Sequence, residues 1–347
     1  MRNTDASTSA QARVLQRRTV LVLSIATIFT GLSVGAALSV GALLLAEVSG
    51  NDAFSGLSST VFGGGAAIAG IPLARLSAKR GRRAALVSGS LIAMAGALVA
   101  IFGTVIGQWW VLALGIAMLG VASAVQLLSR FAATDLALPE KRARDLSLVL
   151  WSITLGAVVG PNLIGPGAAV GHVIGVTPLA GVFVFAFVAQ GFAALVNAIA
   201  LRPDPLLTAR QLALQATPRE SSAAGAKRST AIDASTDRIA PVLVILIIAL
   251  AQAIMVGLMA MTPLHLMHHG GTVGIVGFTL SLHIAGMYAF SPVFGILASR
   301  FGNLPVIGLG WVLMLVAVVL AYLAGASHTM VQIAMTLVGL GWGSLTV

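Results

Sequence analysis

The sequence predicts an all-α integral membrane protein, a bundle of helices that cross a bilayer. Three observations carry that prediction: the composition, a succession of apolar runs, and the placing of the basic residues. Of 347 residues, 58% are hydrophobic and 9% are charged, against roughly 25% charged in a soluble domain. So few charges cannot cover a water-facing surface, and a mean hydropathy of +1.01 agrees. Disorder requires low hydrophobicity. The 39 glycines follow no G-X-Y period, which excludes collagen. The chain has no cysteine, so disulfides, thiolate metal sites and cysteine nucleophiles are excluded together.

A membrane-spanning helix needs about 20 consecutive apolar residues, and ten such runs follow one another. The first, 19–46, is far longer than the apolar core of a signal peptide, so it reads as a retained helix. The next five are 54–76, 84–105, 108–133, 146–169 and 178–201. Pro203 and Pro205 end the sixth. Residues 206–216 have the pattern of a short interfacial helix within a polar gap, 202–238. Four more runs follow at 239–263, 273–298, 305–325 and from 329 to the end. The runs are continuous rather than alternating, which argues against a β-barrel. The expected organisation is a six-helix half over 1–201, a cytoplasmic linker over 202–238 and a second half over 239–347.

The basic residues fix an orientation. Arg2, Arg13, Arg17 and Arg18 precede the first run, and Arg75, Lys79, Arg80, Arg82 and Arg83 follow the second. Arg130, Lys141, Arg142 and Arg144 flank the connection after the fourth run. Six more lie in the long gap and Arg300 follows the eighth run. These are all 20 Lys and Arg of the chain, and they fall on alternate connections. The positive-inside rule makes those connections cytoplasmic, so the expectation is a multi-pass protein of the cytoplasmic (inner) membrane with its N-terminus inside. The net charge of +10 is spread over these connections and forms no nucleic-acid patch.

The two halves repeat. After the second run the chain reads Leu76-Ser77-Ala78-Lys79-Arg80-Gly81-Arg82-Arg83; after the eighth it reads Leu297-Ala298-Ser299-Arg300-Phe301-Gly302. A glycine after basic residues lets a helix end turn sharply. Parallel repeats of six-helix halves characterise one large class of secondary transporters. The first segment resembles the loop 2–3 motif of the major facilitator superfamily, G-x-L-a-D-r-x-G-r-r. Gly81, Arg82 and Arg83 match it, whereas Ala78, and Ser299 in the second copy, stand where the family has an acid. Gly156, Gly160 and Pro161 resemble the helix-five motif G-x-x-x-G-P-x-x-G of that superfamily's antiporters, with Gly165 one place beyond the motif's last glycine, where Ile164 stands. The physical sense of that motif is a flat face for a neighbouring helix and a bend at the proline. Pro139-Glu140-Lys141-Arg142 resembles the loop 4–5 motif P-E-x-R.

The resemblance implies a major-facilitator-type helical bundle of twelve helices. This chain, with a six-helix half plus a four-helix incomplete second half, is expected to lack the last two, and reduced stability is expected for it as given. The resemblance also implies a substrate site near the midplane, lined by spans four, seven and ten. Polar residues inside spans are costly in lipid and mark such sites. The candidates are Gln126, Asn162, Gln190, Asn197, Gln252, His283, Tyr288 and Gln332; span position favours Gln126, Gln252 and Gln332, and His283 is the sharpest signal. His283 lies about 15 Å from the outer end of its span at 1.5 Å per residue. It is the ionisable residue nearest the midplane and hence the candidate for proton coupling. Asp135 is expected to pair with Arg130 or Arg144. His265, His268 and His269 lie close together outside, but their spacing matches no strong metal motif. No metal, cofactor, nucleic acid or protein partner is expected; the partners are the bilayer, a small-molecule substrate and protons. No nucleophile–base pair or phosphate loop appears, so no enzyme is expected. The functional expectation is proton-coupled efflux of a small, largely apolar compound by alternating access. The alternatives are a carrier of a neutral or anionic metabolite, or a non-transporting truncated remnant.

Overall fold

The computed structural model describes residues 2–138, 141–215 and 239–346. The Pro139-Glu140 part of the loop 4–5 motif and most of the linker lie outside the described residues. The first half contains α1 (Arg2–Ser49), α2 (Ser55–Arg80), α3 (Arg82–Val105), α4 (Trp109–Ala132), α5 (Arg142–Val159), α6 (Ile164–Ile174) and α7 (Val182–Ala200). A short helix, α8 (Pro205–Gln215), follows, close to the expected 206–216. The second half contains α9 (Ile239–His268), α10 (Val273–Tyr288), α11 (Ser291–Phe301), α12 (Asn303–Leu323) and α13 (His328–Thr346).

Two spans are broken helices. The fifth runs through α5, a 3-10 turn at Gly160–Leu163 and α6, because Pro161 cannot donate its backbone bond. That span reaches Ile174, five residues beyond its expected end. The eighth breaks between α10 and α11, where Pro292 opens the second piece.

Among the described residues, nine helical stretches are long and apolar enough to cross a membrane. The tenth expected run is α13, a helix of 19 residues. Its apolarity is diluted by Gly339, Gly341 and Gly343, which face His283, Gly310 with Met314, and Met287 of neighbouring helices. The glycines serve close packing against α10 and α12.

The loop repeat is reproduced in the backbone. Gly81 has φ 91° and ψ 170°, and Gly302 has φ 87° and ψ 167°. Only glycine adopts that region without strain. Each glycine N–H closes the preceding helix, on the Ser77 and Ala298 carbonyls respectively.

Each half has its own core. Leu44, Leu112, Ile116 and Phe183 fill the first half away from the basic connections, and Leu23, Leu86 and Val125 fill it near them. Met255, Met314 and Val338 pack the second half. Ile153 and Ala157 of α5 meet Ile284 of α10 across the halves. α1 and α5 approach closely. A Cβ on Gly160 would lie 2.6 Å from the Leu32 carbonyl oxygen, and one on Gly35 would lie 2.6 Å from that of Ala157. Gly156 abuts the Ile28 carbonyl still more closely.

Candidate functional site

The halves touch at the end remote from the basic connections. There the Asn162 side-chain nitrogen donates to Ser281 Oγ at 2.7 Å and to the Val158 carbonyl at 2.8 Å. Ser281 Oγ itself lies 2.8 Å from the Val158 carbonyl. Asp52, between α1 and α2, lies 3.3 Å from His268 at the end of α9. From this closed end a cavity of about 780 Å³ runs between the halves toward the basic end, reaching Ala74, Arg130 and Phe131.

The cavity wall is mostly apolar, with Phe62, Ile153, Met255, Met259 and Met287 among its residues. Its polar groups are few, and helix geometry groups them. Gln126 and Arg130 stand one turn apart on α4. Gln126 is buried and its amide nitrogen has no partner; the Arg130 Nε is likewise buried and unpaired. Across the cavity, Gln252 of α9 accepts a 2.8 Å hydrogen bond from the Trp342 indole N–H of α13. Tyr288 of α10 packs edge-on to that indole, with ring centroids 5.8 Å apart and planes at 77°. No Asp or Glu is among the described residues that line the cavity.

Of the residues singled out from sequence, the structure brings Gln126 and Gln252 together on this wall. Asn162 stands instead at the closed junction. Gln332 lies on α13 some ten residues before Trp342, off the cavity. His283 is fully buried between α10 and α13, where a ring N–H donates to the Met335 carbonyl at 2.8 Å and the other ring nitrogen has no partner. Its chain neighbour Ile284 lines the cavity, but His283 does not.

Tyr288, a candidate as a polar residue within a span, lines the wall as well. Two wall residues are not singled out by the sequence: Arg130 reads as a topological charge near a span end, and Trp342 as one more apolar residue. A buried indole or phenol needs a hydrogen-bond partner, and that signal pointed to Trp342.

The basic end is tied by an ion pair and by side-chain bonds to backbone groups. Arg82 binds Asp135 through two bonds, Nε to Oδ2 at 2.8 Å and Nη2 to Oδ1 at 3.0 Å. This corrects the expected pairing of Asp135 with Arg130 or Arg144. Asp204 accepts the Arg83 backbone N–H at 2.8 Å and caps α8 through the N–H of Leu206 at 3.0 Å. Arg210 returns from α8 to the Ala78 carbonyl at 2.8 Å. Lys79 and Arg80 are exposed, and Arg300 stacks on Phe301 at 5.5 Å. At the opposite end His265 and His269 stack with centroids 4.3 Å apart. Among the described residues no group of three or more His, Asp or Glu is disposed to hold a metal ion.

The profile of the Major Facilitator Superfamily matches residues 23–347. The chain is 37% identical over 338 residues to the uncharacterised MFS-type transporter YdeG of Bacillus subtilis (strain 168), covering 97% of this chain and 77% of that one. It is 27% identical over 336 residues to the riboflavin transporter RfnT of Brucella anthropi, covering 94% and 78%. Its fold is similar to that of the E. coli xylose transporter XylE in a partially occluded inward-open conformation, with a TM-score of 0.70 at 15% identity over 95% of this chain and 86% of that one. Two helical halves around a central cavity, a repeated loop glycine and a profile match over almost the whole length lead to one conclusion: the chain belongs to the Major Facilitator Superfamily of membrane transporters.

Proposed function

We propose that the chain is a secondary transporter of the cytoplasmic membrane, N-terminus inside, that carries a small, flat, largely apolar compound by alternating access. The compound is neutral or anionic. The observation behind this reading is the cavity wall: an amide held by an indole, a second amide with an unused donor, and a guanidinium as the one formal charge among the described lining residues. Aromatic rings and methionines suit a flat ring system. The donors of Gln126 and Arg130 suit carbonyl or carboxylate acceptors. A cation beside apolar surface disfavours an organic cation. Similarity to a riboflavin transporter supports the same class, since riboflavin is a fused-ring compound bearing carbonyl acceptors. The orientation rests on the distribution of the 20 basic residues; with it, the cavity reaches toward the cytoplasm.

A second reading, proton-driven export, draws on the helix-five motif, whose Gly156 and Gly160 make the close helix contact that the resemblance implies.

The test is counterflow in liposomes containing the purified chain, with riboflavin as first probe and then a panel of flat heterocyclic acids. For the transported compound, Gln252→Ala and Trp342→Phe are each expected to raise KM about tenfold while changing kcat little, the mark of lost uniform binding. An unchanged KM in both variants would remove this wall as the site. An imposed pH gradient that accelerates export would favour the second reading; indifference to the gradient would exclude it.

A further inference from the structure

A second cavity, of about 570 Å³, lies at the basic end between α1 and α5, away from the transport cavity. The two helices are pressed together by glycines farther along. Near the basic end the larger residues Leu21, Leu148 and Trp151 line an open groove.

The groove faces lipid. On α5, Trp151 and Leu148 point away from Ile153 and Ala157, which line the transport cavity, as the 3.6-residue period requires. Leu21 is 61% exposed and Trp151 43%. The mouth is cationic: Arg17 of α1, and Lys141 and Arg144 at the start of α5. None of the three forms an ion pair among the described residues. The one acid among the described lining residues, Asp145, is engaged by the Gln16 side-chain nitrogen at 2.7 Å. That nitrogen also bonds the Ala133 carbonyl at 2.7 Å. The other amide atom of Gln16, Oε1, is buried with no partner behind the groove wall, an unused acceptor that a ligand reaches once the wall yields slightly.

We infer that this groove binds one anionic phospholipid with a hydroxylated headgroup, of the phosphatidylglycerol type. The phosphate sits among Arg17, Lys141 and Arg144. Basic pockets between transmembrane helices on the cytoplasmic side recognise such headgroups. A headgroup hydroxyl satisfies Gln16 Oε1, which a phosphate oxygen cannot do, because both are acceptors. An acyl chain runs along Leu148, Trp151 and Leu21. Arg144 and Trp151 are seven residues apart, about 10 Å along the helix, the step from headgroup to upper acyl chain where tryptophan concentrates. The cations that attract a phosphate repel the ammonium of phosphatidylethanolamine, so a zwitterionic lipid does not fit.

The test uses the whole purified chain in phosphatidylcholine nanodiscs, titrated with phosphatidylglycerol carrying brominated acyl chains. Tryptophan quenching is expected to saturate at one lipid per chain. Trp151→Phe is expected to remove the saturable part, although four other tryptophans remain. The triple variant Arg17→Gln, Lys141→Gln, Arg144→Gln is expected to weaken binding at least tenfold. A control losing the same charge elsewhere, Arg75→Gln, Lys79→Gln, Arg80→Gln, is expected to keep it. Gln16→Leu is expected to abolish the preference for phosphatidylglycerol over phosphatidic acid while leaving the phosphate contact. Equal loss in the two triple variants would reduce the effect to diffuse surface charge and overturn the site. Non-saturating quenching, or quenching unchanged by Trp151→Phe, would overturn it as well. Should the groove triple variant fail to fold, the Trp151→Phe comparison in the otherwise native chain still decides.

Discussion

Asp135 and Arg82 are 53 residues apart in the chain and meet in a bidentate pair whose side chains are 11% and 15% exposed. The sequence neighbours of Asp135 on its own connection do not pair with it; its partner is supplied by the packing of α3 beside α4. Removing one partner strands the other near the protein interior. Arg82→Gln or Asp135→Asn is therefore expected to cost on the order of 2 kcal/mol, below the roughly 3–5 of a fully buried pair. Detergent melting of the two single variants and the charge-swapped double variant checks this: the double is expected to recover most of the loss. His283 is the opposite case, conspicuous in the sequence yet set apart from the cavity. Its bond to the Met335 carbonyl makes it a positioning residue between α10 and α13. His283→Gln keeps a donor and removes the ionisation, so transport and its pH profile are expected to stay unchanged. His283→Leu is expected to lower stability by about 1 kcal/mol, the scale of a hydrogen bond between membrane helices. A pH profile flattened by His283→Gln would restore the proton-coupling role. Gln126 and Gln252 were legible because an amide in lipid is costly; Arg130 and Trp342 were not, because each has a commoner use where it stands.

At the scale of the element, apolar length placed the spans within a few residues, and proline placed the break in the fifth. What length and hydropathy do not encode is which face of a helix is flat for a reason. The helix-five motif illustrates the gap: its glycines look equivalent in sequence and are not so in space. Gly156 and Gly160 press on α1, while nothing lies within 4 Å of the Cβ position at Gly165. Gly156→Ala and Gly160→Ala are expected to overpack the α1–α5 contact at a cost of about 1–3 kcal/mol each. Gly165→Ala is expected to be neutral. Yield of monodisperse protein and its melting temperature check the contrast, and equal damage from all three would show that spacing rather than contact governs the motif. The tenth run gives the same lesson in reverse. Its hydropathy is modest because α13 trades apolar bulk for glycines that let α10 and α12 come close.

At the scale of the whole molecule, the loop repeat in the sequence points to two related halves. The division was legible because Gly81 and Gly302 must both turn a helix end with the same backbone angles. The sequence could not say where the halves lean on each other, since that depends on side chains from separate helices such as Asn162 and Ser281. At the same junction Gly277 of α10 rests on the backbone of the other half: a Cβ there would lie 2.7 Å from the Pro161 carbonyl oxygen. The joint therefore has no clearance. A single methyl group at position 277 is expected to act as a shim, prying the halves apart at the end remote from the basic connections, and under the proposed alternating access that is the displacement the cycle makes. Gly277→Ala is expected to leave each half folded but tilt the resting population toward the outward-facing state. Because the chain has no cysteine, a lone Ser59→Cys in the cavity wall reports the tilt. An impermeant thiol reagent outside intact cells is expected to reach it only when the shim is present. If it is reached equally with and without the methyl group, the fulcrum of this transporter lies elsewhere.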